Sequence, residues 1–484
     1  MDKFGLIGRT LKHSFSKYIH EGFFDDSYNL FELEPNELSN FISKREFQGV
    51  NVTIPYKQDV ISMLDYVDEN AKEINAVNTI VNRNGMLSGY NTDYLGLLDL
   101  IKVNEIEIEN KNVLLLGNGG TSNTARYVLK LLKAKSVTVV SRNNASGTIS
   151  FEEANTKSDT EVIVNTTPVG MYPNNEGRII CLDNYPKLEA VVDVIYNPLR
   201  TMLCIDAKNK GVKYAGGLYM LVSQAIYARE LFHDIEVDKK VIKDVFKSIK
   251  SERENIVLIG MPTSGKTTIA KLLKEKLNRE VIDSDDEITK RSGLTPNEFI
   301  TSKGIIEFRK FESEVIKDIA KQQGVIISTG GGEILNKDNM DYLSQNGVIV
   351  FIDRPLELLG VSDDRPLSSN RSDLEKRYNE RYELYKKYVT EGVDDFDKKN
   401  LSYKGHRALT LARLLKREYK NLCTKEVPFE KLLASLRIKE LLKSVEVLEL
   451  SDIEFKSYIC GLENKNSDYA KFILRARKEL ENQK

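Results

Sequence analysis

The chain has 484 residues, with 71 Lys and Arg against 72 Asp and Glu, so its formal net charge is −1. Because single hydrophobic cores stop growing at roughly 250–300 residues, this length predicts two or three domains. Apolar residues make up 41% and charged residues 30%, which is typical of soluble globular domains and excludes a mainly disordered chain. The near-zero charge excludes a global attraction to nucleic acid or to an anionic membrane, so bound anions must be held at local sites.

Cysteine use and hydropathy bear on the cellular compartment. Cys181, Cys204, Cys423 and Cys460 are far apart and lack the CxxC spacing of zinc sites and redox pairs. The first residues, MDKFGLIGRTLKHS, are interrupted by charged side chains before any apolar run of signal-peptide length. No stretch approaches 18 uninterrupted apolar residues. We therefore expect a soluble, cytoplasmic protein with reduced thiols and no membrane partner.

Short β-branched runs alternate with helix-length amphipathic segments along the chain. The runs are NVLLLG (112–117), SVTVVS (136–141), EVIVNTT (161–167), AVVDVIY (190–196), NIVLIG (255–260), GVIIST (324–329) and GVIVFID (347–353). This alternation predicts βαβ units and parallel sheets, hence an α/β fold class. The segment 236–255 has helical periodicity and becomes strongly charged just before the next strand, which predicts a domain boundary near residue 252.

The segment LLLGNGGTSNTARYVLKLL (114–132) reads as a strand, a glycine-rich turn and a helix. Gly117 would allow the tight turn, and Gly119 and Gly120 would let the backbone approach a pyrophosphate at the helix N-terminus. Ser122 stands where the usual dinucleotide fingerprint has its third glycine. A purely structural strand-to-helix turn is the alternative.

The second strand of this unit ends in Ser141 and Arg142. An Asp or Glu at this place would bind the ribose of NAD, whereas an arginine accommodates the 2′-phosphate of NADP. The sequence therefore favours NADP(H), with an ordinary surface role for Arg142 as the alternative.

Several polar clusters surround this nucleotide turn. They are GRTLKHSFSKYIHEGFF (8–24), GVNVTIPYKQDV (49–60), INAVNTIV and GYNTDYLG within 74–96, NTTPVGM (165–171), DVIYNPLRT (193–201) and GGLYMLVSQA (216–225). Over about residues 1–250 they resemble the shikimate dehydrogenase family. The resemblance implies a substrate-binding domain over 1–100, completed by helices in 220–250, and a Rossmann-like NADP-binding domain over 101–219.

The same resemblance implies roles for individual residues. The expected substrate ligands are Ser14 and Ser16 for the carboxylate, with Thr53, Asn78 and Gln224, and Gly217 is the expected neighbour of the nicotinamide. Lys57 is the expected acid, because an ammonium group both stabilises a developing alkoxide and supplies a proton. Asp93 would hold Lys57 in place. The alternative is that Lys57 and Asp93 form a surface ion pair.

The segment NIVLIGMPTSGKTTIAKLL (255–273) contains GxxxxGKT between a predicted strand and a predicted helix. This context is typical of a phosphate-binding loop. Gly260 and Gly265 would turn backbone N–H groups toward the phosphates, Lys266 would reach the β- and γ-oxygens, and the Thr267 hydroxyl would bind Mg²⁺.

The motifs that follow resemble shikimate kinase, a small nucleoside-monophosphate-kinase-like fold, over about residues 254–420. They are VIDSDDEI (281–288), IIEFRKFE (305–312), VIISTGGGEIL (325–335), DDRPL (363–367) and RYNERYELY (377–385). Asp283 and Asp285 are two residues apart, and we expect both on one face of a strand edge. Two features depart from the family: Thr263 replaces a frequent glycine, and residues 350–367 lack an obvious extra arginine for the adenine side.

By this resemblance Asp285 would hold and deprotonate the attacking hydroxyl, and Asp283 would act near Mg²⁺. The substrate carboxylate would be clamped by Arg309, Arg381 and the glycine triplet Gly330, Gly331 and Gly332. Arg365 would lie in a mobile lid and neutralise charge on the transferred phosphoryl group. Each of these arginines taken alone is more often a solvated surface residue.

Together the two resemblances predict a bifunctional enzyme. It would reduce 3-dehydroshikimate to shikimate with NADPH and then phosphorylate shikimate with ATP and Mg²⁺. One alternative makes one half a binding or regulatory module, and another makes the chain a quinate-type dehydrogenase fused to another small-molecule kinase. The kinase domain is expected over 254–422, followed by a mostly helical tail over 423–484 that could be a cap, a binding module or a dimerisation element. A homodimer is left open, and no nucleic-acid partner is expected.

Overall fold

The computed structural model describes residues 4–11, 15–24, 26–143, 145–354, 356, 359 and 371–389. The chain divides into two compact units, Met1–Lys250 and Ser251–Lys484. Ser14 and Arg365 lie outside the described residues, as does the predicted tail at 423–484. Within the described part, none of the helices combines the length and the apolarity needed to cross a membrane.

The first unit begins with a six-stranded mixed sheet in the order β2-β1-β3-β5-β6-β4. Its strands are β1 (Phe4–Gly8), β2 (Tyr28–Glu32), β3 (Gly49–Val52), β4 (Tyr66–Val67), β5 (Thr79–Arg83) and β6 (Met86–Tyr90). Its helices are α1 (Ser16–Phe24), α2 (Pro35–Lys44) and α3 (Glu69–Ile74), with a 3₁₀ helix over Asp59–Met63.

The parallel sheets predicted from the runs over 112–353 do not include this first sheet, which is mixed. Strand β5 runs antiparallel to both β3 and β6. The β5–β6 hairpin turns through Asn84 and Gly85, whose φ angles are 52° and 87°. An Asn-Gly pair with positive φ at both residues is what a tight two-residue hairpin requires.

The second sheet of this unit has five parallel strands in the order β11-β10-β9-β7-β8, as the alternation of strands and helices predicts. Its strands are β7 (Asn112–Leu116), β8 (Ser136–Val140), β9 (Val162–Asn165), β10 (Ala190–Asp193) and β11 (Lys213–Gly216). The helices are α4 (Asp93–Val103), α5 (Gly120–Leu131), α6 (Phe151–Ala154), α7 (Met202–Asn209), α8 (Leu218–His233) and α9 (Lys239–Arg253), with a 3₁₀ helix over Leu182–Asn184.

Close packing of α4 against α8 positions part of the site. A side chain at Gly96 would stand 2.6 Å from the Met220 carbonyl oxygen and 3.3 Å from Cβ of Gln224. The missing side chain therefore lets the two helix backbones approach closely. This contact sets the start of α4, where Asp93 lies, beside the face of α8 that carries Gln224.

The second unit contains a four-stranded parallel sheet in the order β13-β14-β12-β15. The strands are β12 (Asn255–Ile259), β13 (Val281–Asp283), β14 (Ile326–Ser328) and β15 (Gly347–Phe351). The helices are α10 (Lys266–Leu277), α11 (Ser284–Ser292), α12 (Pro296–Lys303), α13 (Ile305–Ile319), α14 (Lys337–Asn346) and α15 (Arg371–Tyr388), with a 3₁₀ helix over Glu333–Leu335. Because parallel strands end at the same edge, the loops after β12, β13 and β14 converge.

The predicted α/β class is confirmed in both units, but one local expectation is wrong. Asp283 is the last residue of β13, whereas Asp285 lies in the first turn of α11 and not on a strand. The Asp283 carboxylate accepts the Asp285 backbone N–H at 3.1 Å and so caps the helix. This capping turns the chain into a helix at once, which alternation along a strand cannot anticipate.

Candidate active sites

The first unit contains a cavity of about 650 Å³. Seven residues singled out from the sequence line it, although they come from segments far apart in the chain. They are Ser16, Thr53, Lys57, Asn78, Asp93, Gly217 and Gln224. Apolar side chains also line the cavity, so a few polar groups with donor or acceptor atoms converge within a largely apolar wall, which suits a small hydroxylated ligand.

Lys57 and Asp93 form an ion pair at the cavity. Lys57 Nζ donates to Asp93 Oδ2 at 2.6 Å, and the two side chains are 18% and 11% exposed. Lys57 lies in the turn after β3, and Asp93 is the first residue of α4. Asp93 thus fixes the direction of an ammonium group that has two further protons to donate into the cavity.

A buried polar network forms the wall beside this pair. Asn78 Oδ1 accepts the Thr92 backbone N–H at 2.6 Å, and Asn78 Nδ2 donates to Thr92 Oγ1 at 3.0 Å. These bonds hold Asn78 against the residue that precedes Asp93. The amide is therefore fixed in place before any ligand arrives.

Asn51 also lines the cavity and was missed in the sequence. Its Nδ2 donates to Thr79 Oγ1 at 3.1 Å, and its Oδ1 accepts the Tyr28 hydroxyl at 2.7 Å. Asn51 and Thr53 are two residues apart at the end of β3, so strand periodicity alone places both on one face. That period is the signal that could have identified Asn51.

The glycine-rich turn has the geometry of a nucleotide-binding turn. Gly117 has a φ of 108°, and its N–H donates to the Val140 carbonyl at the end of β8, at 2.9 Å. Ser122 donates its hydroxyl to the Gly117 carbonyl at 2.8 Å and so pins the turn from the first turn of α5. A side chain at Gly119 or Gly120 would meet no atom within 4 Å, so the space in front of the helix N-terminus is open.

Ser141 and Arg142 follow β8, the strand next to β7 in the sheet. Arg142 is exposed in a turn, on the same sheet edge as Gly117. Neither residue lines the cavity, whereas Thr121, which follows the glycines, does. An open helix N-terminus with an arginine at the end of the neighbouring strand fits the pyrophosphate and the 2′-phosphate of NADP(H).

The loop after β10 supplies the other side of the cavity through Val194 and Tyr196. Gly217 packs directly against the Val194 carbonyl, where no side chain would fit, and its N–H donates to the Ile195 carbonyl at 2.8 Å. Asp193, the last residue of β10, holds this loop through hydrogen bonds. It accepts the Thr201 hydroxyl at 2.6 Å and the Ile195 N–H at 3.1 Å, and complete burial raises the pKa of its carboxyl to about 6.

The second unit contains a cavity of about 440 Å³ at the edge where its strands end. Six residues predicted from the sequence line it: Gly265, Lys266, Thr267, Asp283, Asp285 and Gly330. They come from the loops after β12, β13 and β14, which the parallel topology brings together. Gly260 is not part of the lining.

The phosphate-binding loop has the expected form. Gly265, with a φ of 97°, caps α10, and the first residues of this helix line the cavity, so the helix N-terminus lies at the site. Lys266 Nζ donates to the carbonyls of Gly260 and Met261 at 2.9 and 3.0 Å. The ammonium group is therefore held at the loop, where it lines the cavity.

The donors at this loop suit a magnesium ion held partly by phosphate. Thr267 Oγ1 donates to Asp283 Oδ2 at 3.2 Å, which places a hydroxyl beside a carboxylate. Among the described residues, no group of three or more His, Cys, Asp or Glu side chains could enclose a metal. Mg²⁺ commonly takes one or two protein oxygens and completes its shell with phosphate and water, so this donor pair fits it.

Arg354 lines the same cavity and was missed, although it lies within the segment 350–367. Its Nη1 donates to the Thr263 carbonyl at 2.9 Å. The segment thus does supply an arginine to the cavity. Because β15 is the neighbour of β12, a residue just after β15 must come close to the phosphate loop.

Arg309 and Arg381 converge on the glycine triplet rather than on the cavity lining. Arg381 Nη1 donates to the Gly331 carbonyl at 2.7 Å, and the Arg309 guanidinium lies so close to Gly332 that no side chain would fit there. Arg309 also pairs with Glu312 at 2.6 Å, an i,i+3 contact that helical spacing could have predicted. Two guanidinium groups beside one loop can hold a carboxylate.

Comparisons with known proteins cover both units. A model of the shikimate dehydrogenase substrate binding domain matches residues 6–80, and a model of shikimate kinase matches residues 262–407. The shikimate dehydrogenase (NADP(+)) of Clostridium perfringens is 36% identical over 271 residues, which is 52% of this chain and 99% of that protein. The enzyme of the same name from Clostridium beijerinckii is 37% identical over 268 residues, again 52% of this chain and 99% of that protein. The crystal structure of shikimate dehydrogenase 1 from Peptoclostridium difficile is 36% identical and covers 52% of this chain and 98% of its own, with a TM-score of 0.48.

Proposed function

Because the chain belongs to the shikimate dehydrogenase family and also carries a shikimate kinase domain, we propose that it catalyses two consecutive reactions of the shikimate pathway. The first unit reduces 3-dehydroshikimate to shikimate with NADPH. The second transfers a phosphoryl group from ATP to shikimate and gives shikimate 3-phosphate. Shikimate is then the product of one site and the substrate of the other.

In the dehydrogenase unit, bound NADPH supplies a hydride to the ring ketone. Lys57 stabilises the negative charge that develops on the ketone oxygen and donates a proton to it, while Asp93 keeps the ammonium group in place. Asn78 and Thr53 orient the ring hydroxyls, and Ser16, with Ser14 beyond the described residues, holds the substrate carboxylate. The observation that carries this assignment is the Lys57–Asp93 pair at 2.6 Å, at a cavity that Ser16, Thr53, Asn78 and Gln224 also line.

In the kinase unit, ATP with Mg²⁺ supplies the phosphoryl group. Asp285, at the cavity, accepts the proton of the attacking hydroxyl, and Lys266 and the N-terminus of α10 bind the phosphates. Arg309 and Arg381 hold the substrate carboxylate at the glycine triplet. Arg365 is the proposed lid residue, but it lies outside the described residues.

The alternative of a single active half predicts a binding site without catalytic groups. The presence of Lys57 and Lys266 argues against an inactive half, because retention of a ligand requires neither a proton donor nor a phosphate-binding lysine. A direct test follows NADPH oxidation with 3-dehydroshikimate and, separately, ADP release with shikimate. Activity in both assays supports the proposal. Absence of either activity, or faster turnover with NADH than with NADPH, would contradict the corresponding half of it.

A further inference from the structure

Glu333, the residue that follows the glycine triplet, is a buried glutamate for which no role was predicted from the sequence. It begins the 3₁₀ helix Glu333–Leu335, and its side chain is 1% exposed. A carboxyl group is expensive to bury because it loses its hydration, so such a group is kept only where its partners compensate or where it is protonated.

The partners of Glu333 belong to the loops that form the acceptor side of the kinase site. Its Oε1 accepts the Ser284 hydroxyl and the Gly330 backbone N–H, the latter at 2.8 Å. The Gly330 N–H is shared with Ser284 Oγ at 2.9 Å. Since Ser284 directly precedes Asp285, these bonds tie the glycine triplet to the turn that carries Asp285.

Glu333 also lies close to Asp285 itself. The point where a side chain on Gly330 would begin is 2.9 Å from Asp285 Oδ1 and 3.2 Å from Glu333 Oε1. The two carboxyl groups therefore flank one backbone position, and only glycine leaves room for both. Burial, followed by the charges of Glu312 and Asp285, raises the pKa of Glu333 well above its usual range.

A neutral Glu333 suits the chemistry proposed for its neighbour. Two carboxylates that flank one backbone position repel each other, so ionising both carries an electrostatic cost. A protonated Glu333 adds no like charge beside Asp285, which must be ionised to accept a proton. Among the described residues Glu333 Oε2 has no hydrogen-bond partner, so the known bonds of this side chain all go through Oε1.

We propose that Glu333 is a positioning residue for phosphoryl transfer, which fixes Asp285 relative to the acceptor hydroxyl through Ser284 and the Gly330 amide. This inference rests on the proposed kinase function. Glu333 is not among the residues that line the cavity, and it acts by holding two loops in register. A displacement of about 1 Å at a catalytic group can lower the rate by up to two orders of magnitude, so the expected effect is on kcat.

The experiment compares Glu333→Ala and Glu333→Gln in the full chain. Alanine removes the Oε1 acceptor, whereas glutamine keeps that acceptor and resembles the neutral acid in shape and charge. We expect Glu333→Ala to lower the kinase kcat by at least about tenfold with little change in KM for ATP, and Glu333→Gln to restore most of that loss. Glu307→Gln is the matched control, since Glu307 lies on α13 with its side chain 57% exposed and should leave both constants unchanged.

Dehydrogenase activity of the same preparations reports the concentration of intact chain, and the denaturant midpoint of the kinase unit reports whether each variant folds there. If Glu333→Ala misfolds in the kinase unit, Ser284→Ala removes the other end of the same hydrogen bond and should lower kcat in the same way. A wild-type kcat in Glu333→Ala, or equal losses in the alanine and glutamine variants, would overturn the inference. A wild-type chain that phosphorylates no shikimate would instead overturn the proposed function, so the two failures are distinguishable.

Discussion

Arg354 donates to the backbone carbonyl of Thr263, at 2.9 Å, and so links the end of β15 to the phosphate-binding loop. Thr263 has a φ of 62°, in the left-handed region that disfavours β-branched residues. Both residues line the cavity of the kinase unit. The contact joins Thr263 to an arginine of the segment 350–367, in which no such arginine was expected from the sequence.

Replacing Thr263 with glycine should stabilise the kinase unit. A non-glycine residue in the left-handed region destabilises the folded state by about 1–2 kcal/mol. Glycine removes this strain, but it also increases the entropy of the unfolded chain, which offsets part of the gain. We expect a net gain of up to about 1 kcal/mol, measured as the denaturant midpoint of the kinase unit. Thr268→Gly, within α10, should instead destabilise by about 1 kcal/mol, because that position is helical. A lower midpoint for Thr263→Gly would contradict the assigned strain.

Loss of the Arg354 side chain should weaken nucleotide binding. Arg354→Ala removes a cation from the phosphate side and frees the Thr263 carbonyl, which we expect to raise KM for ATP by about tenfold. KM for shikimate should stay constant, because Arg354 contacts the phosphate-binding loop whereas Arg381 contacts the glycine triplet. Arg291→Ala is the control, because Arg291 forms only exposed pairs with Glu287 and Asp318 in the described structure. An unchanged KM for ATP would contradict a role of Arg354 in nucleotide binding.

Asp193 should make the dehydrogenase unit less stable as the pH rises from about 4 to about 6. Its pKa is about 6 in the folded chain against 3.8 for the free group, so the folded state binds the proton more tightly. The stability that this carboxyl contributes is therefore complete below the unfolded-state pKa of 3.8. It is lost as the pH rises through the folded-state pKa of about 6. Between pH 4.5 and pH 7 the loss relative to Asp193→Asn should be roughly 2 kcal/mol, measured by urea unfolding at the two pH values. If the unfolding free energies of the wild-type chain and Asp193→Asn changed in parallel with pH, the raised pKa assigned to Asp193 would be contradicted.

Lys57→Ala should abolish reduction while leaving phosphorylation intact. General-acid groups typically contribute about 10²–10⁴-fold, so kcat for 3-dehydroshikimate should fall within that range. Lys72→Ala is the matched control, because Lys72 is a half-exposed lysine whose pairing with Glu69 lies outside the cavity. We expect Lys57→Ala to show almost no NADPH oxidation but normal ADP release from ATP when shikimate is added. A loss of less than about threefold would leave Lys57 without a role as the acid.

The sequence was most informative where local pattern and topology coincide. Strands β7 and β12 are buried on both faces, so they appear as uninterrupted apolar runs ahead of their glycine loops. No strand direction was predicted for the first sheet, whose β5–β6 hairpin depends on the Asn84–Gly85 turn, a two-residue signal. Arg354 escaped notice because its closeness to the phosphate loop follows from the β12–β15 pairing, which only the fold reveals.

The site residues also divide into those that a local sequence pattern indicates and those that only the fold reveals. Lys57 and Asp93 stand out in motifs, and the structure brings them to 2.6 Å. Asn51 was within reach, since strand alternation links it to Thr53. Glu333 was not, because its partners Ser284 and Gly330 become neighbours only when α11 and the glycine triplet meet in three dimensions. Burial of a carboxyl cannot be read from a residue that, in sequence, looks like an ordinary surface glutamate.

The central claim is that one chain carries both reactions, each at its own lysine-containing site. It is tested most directly by supplying 3-dehydroshikimate, NADPH, ATP and Mg²⁺ to the wild-type chain and to Lys266→Ala, and separating the products. The wild-type chain should form shikimate 3-phosphate, whereas Lys266→Ala should oxidise NADPH at the wild-type rate and accumulate shikimate. Formation of shikimate 3-phosphate by Lys266→Ala at the wild-type rate, or no NADPH oxidation by either protein, would contradict the account.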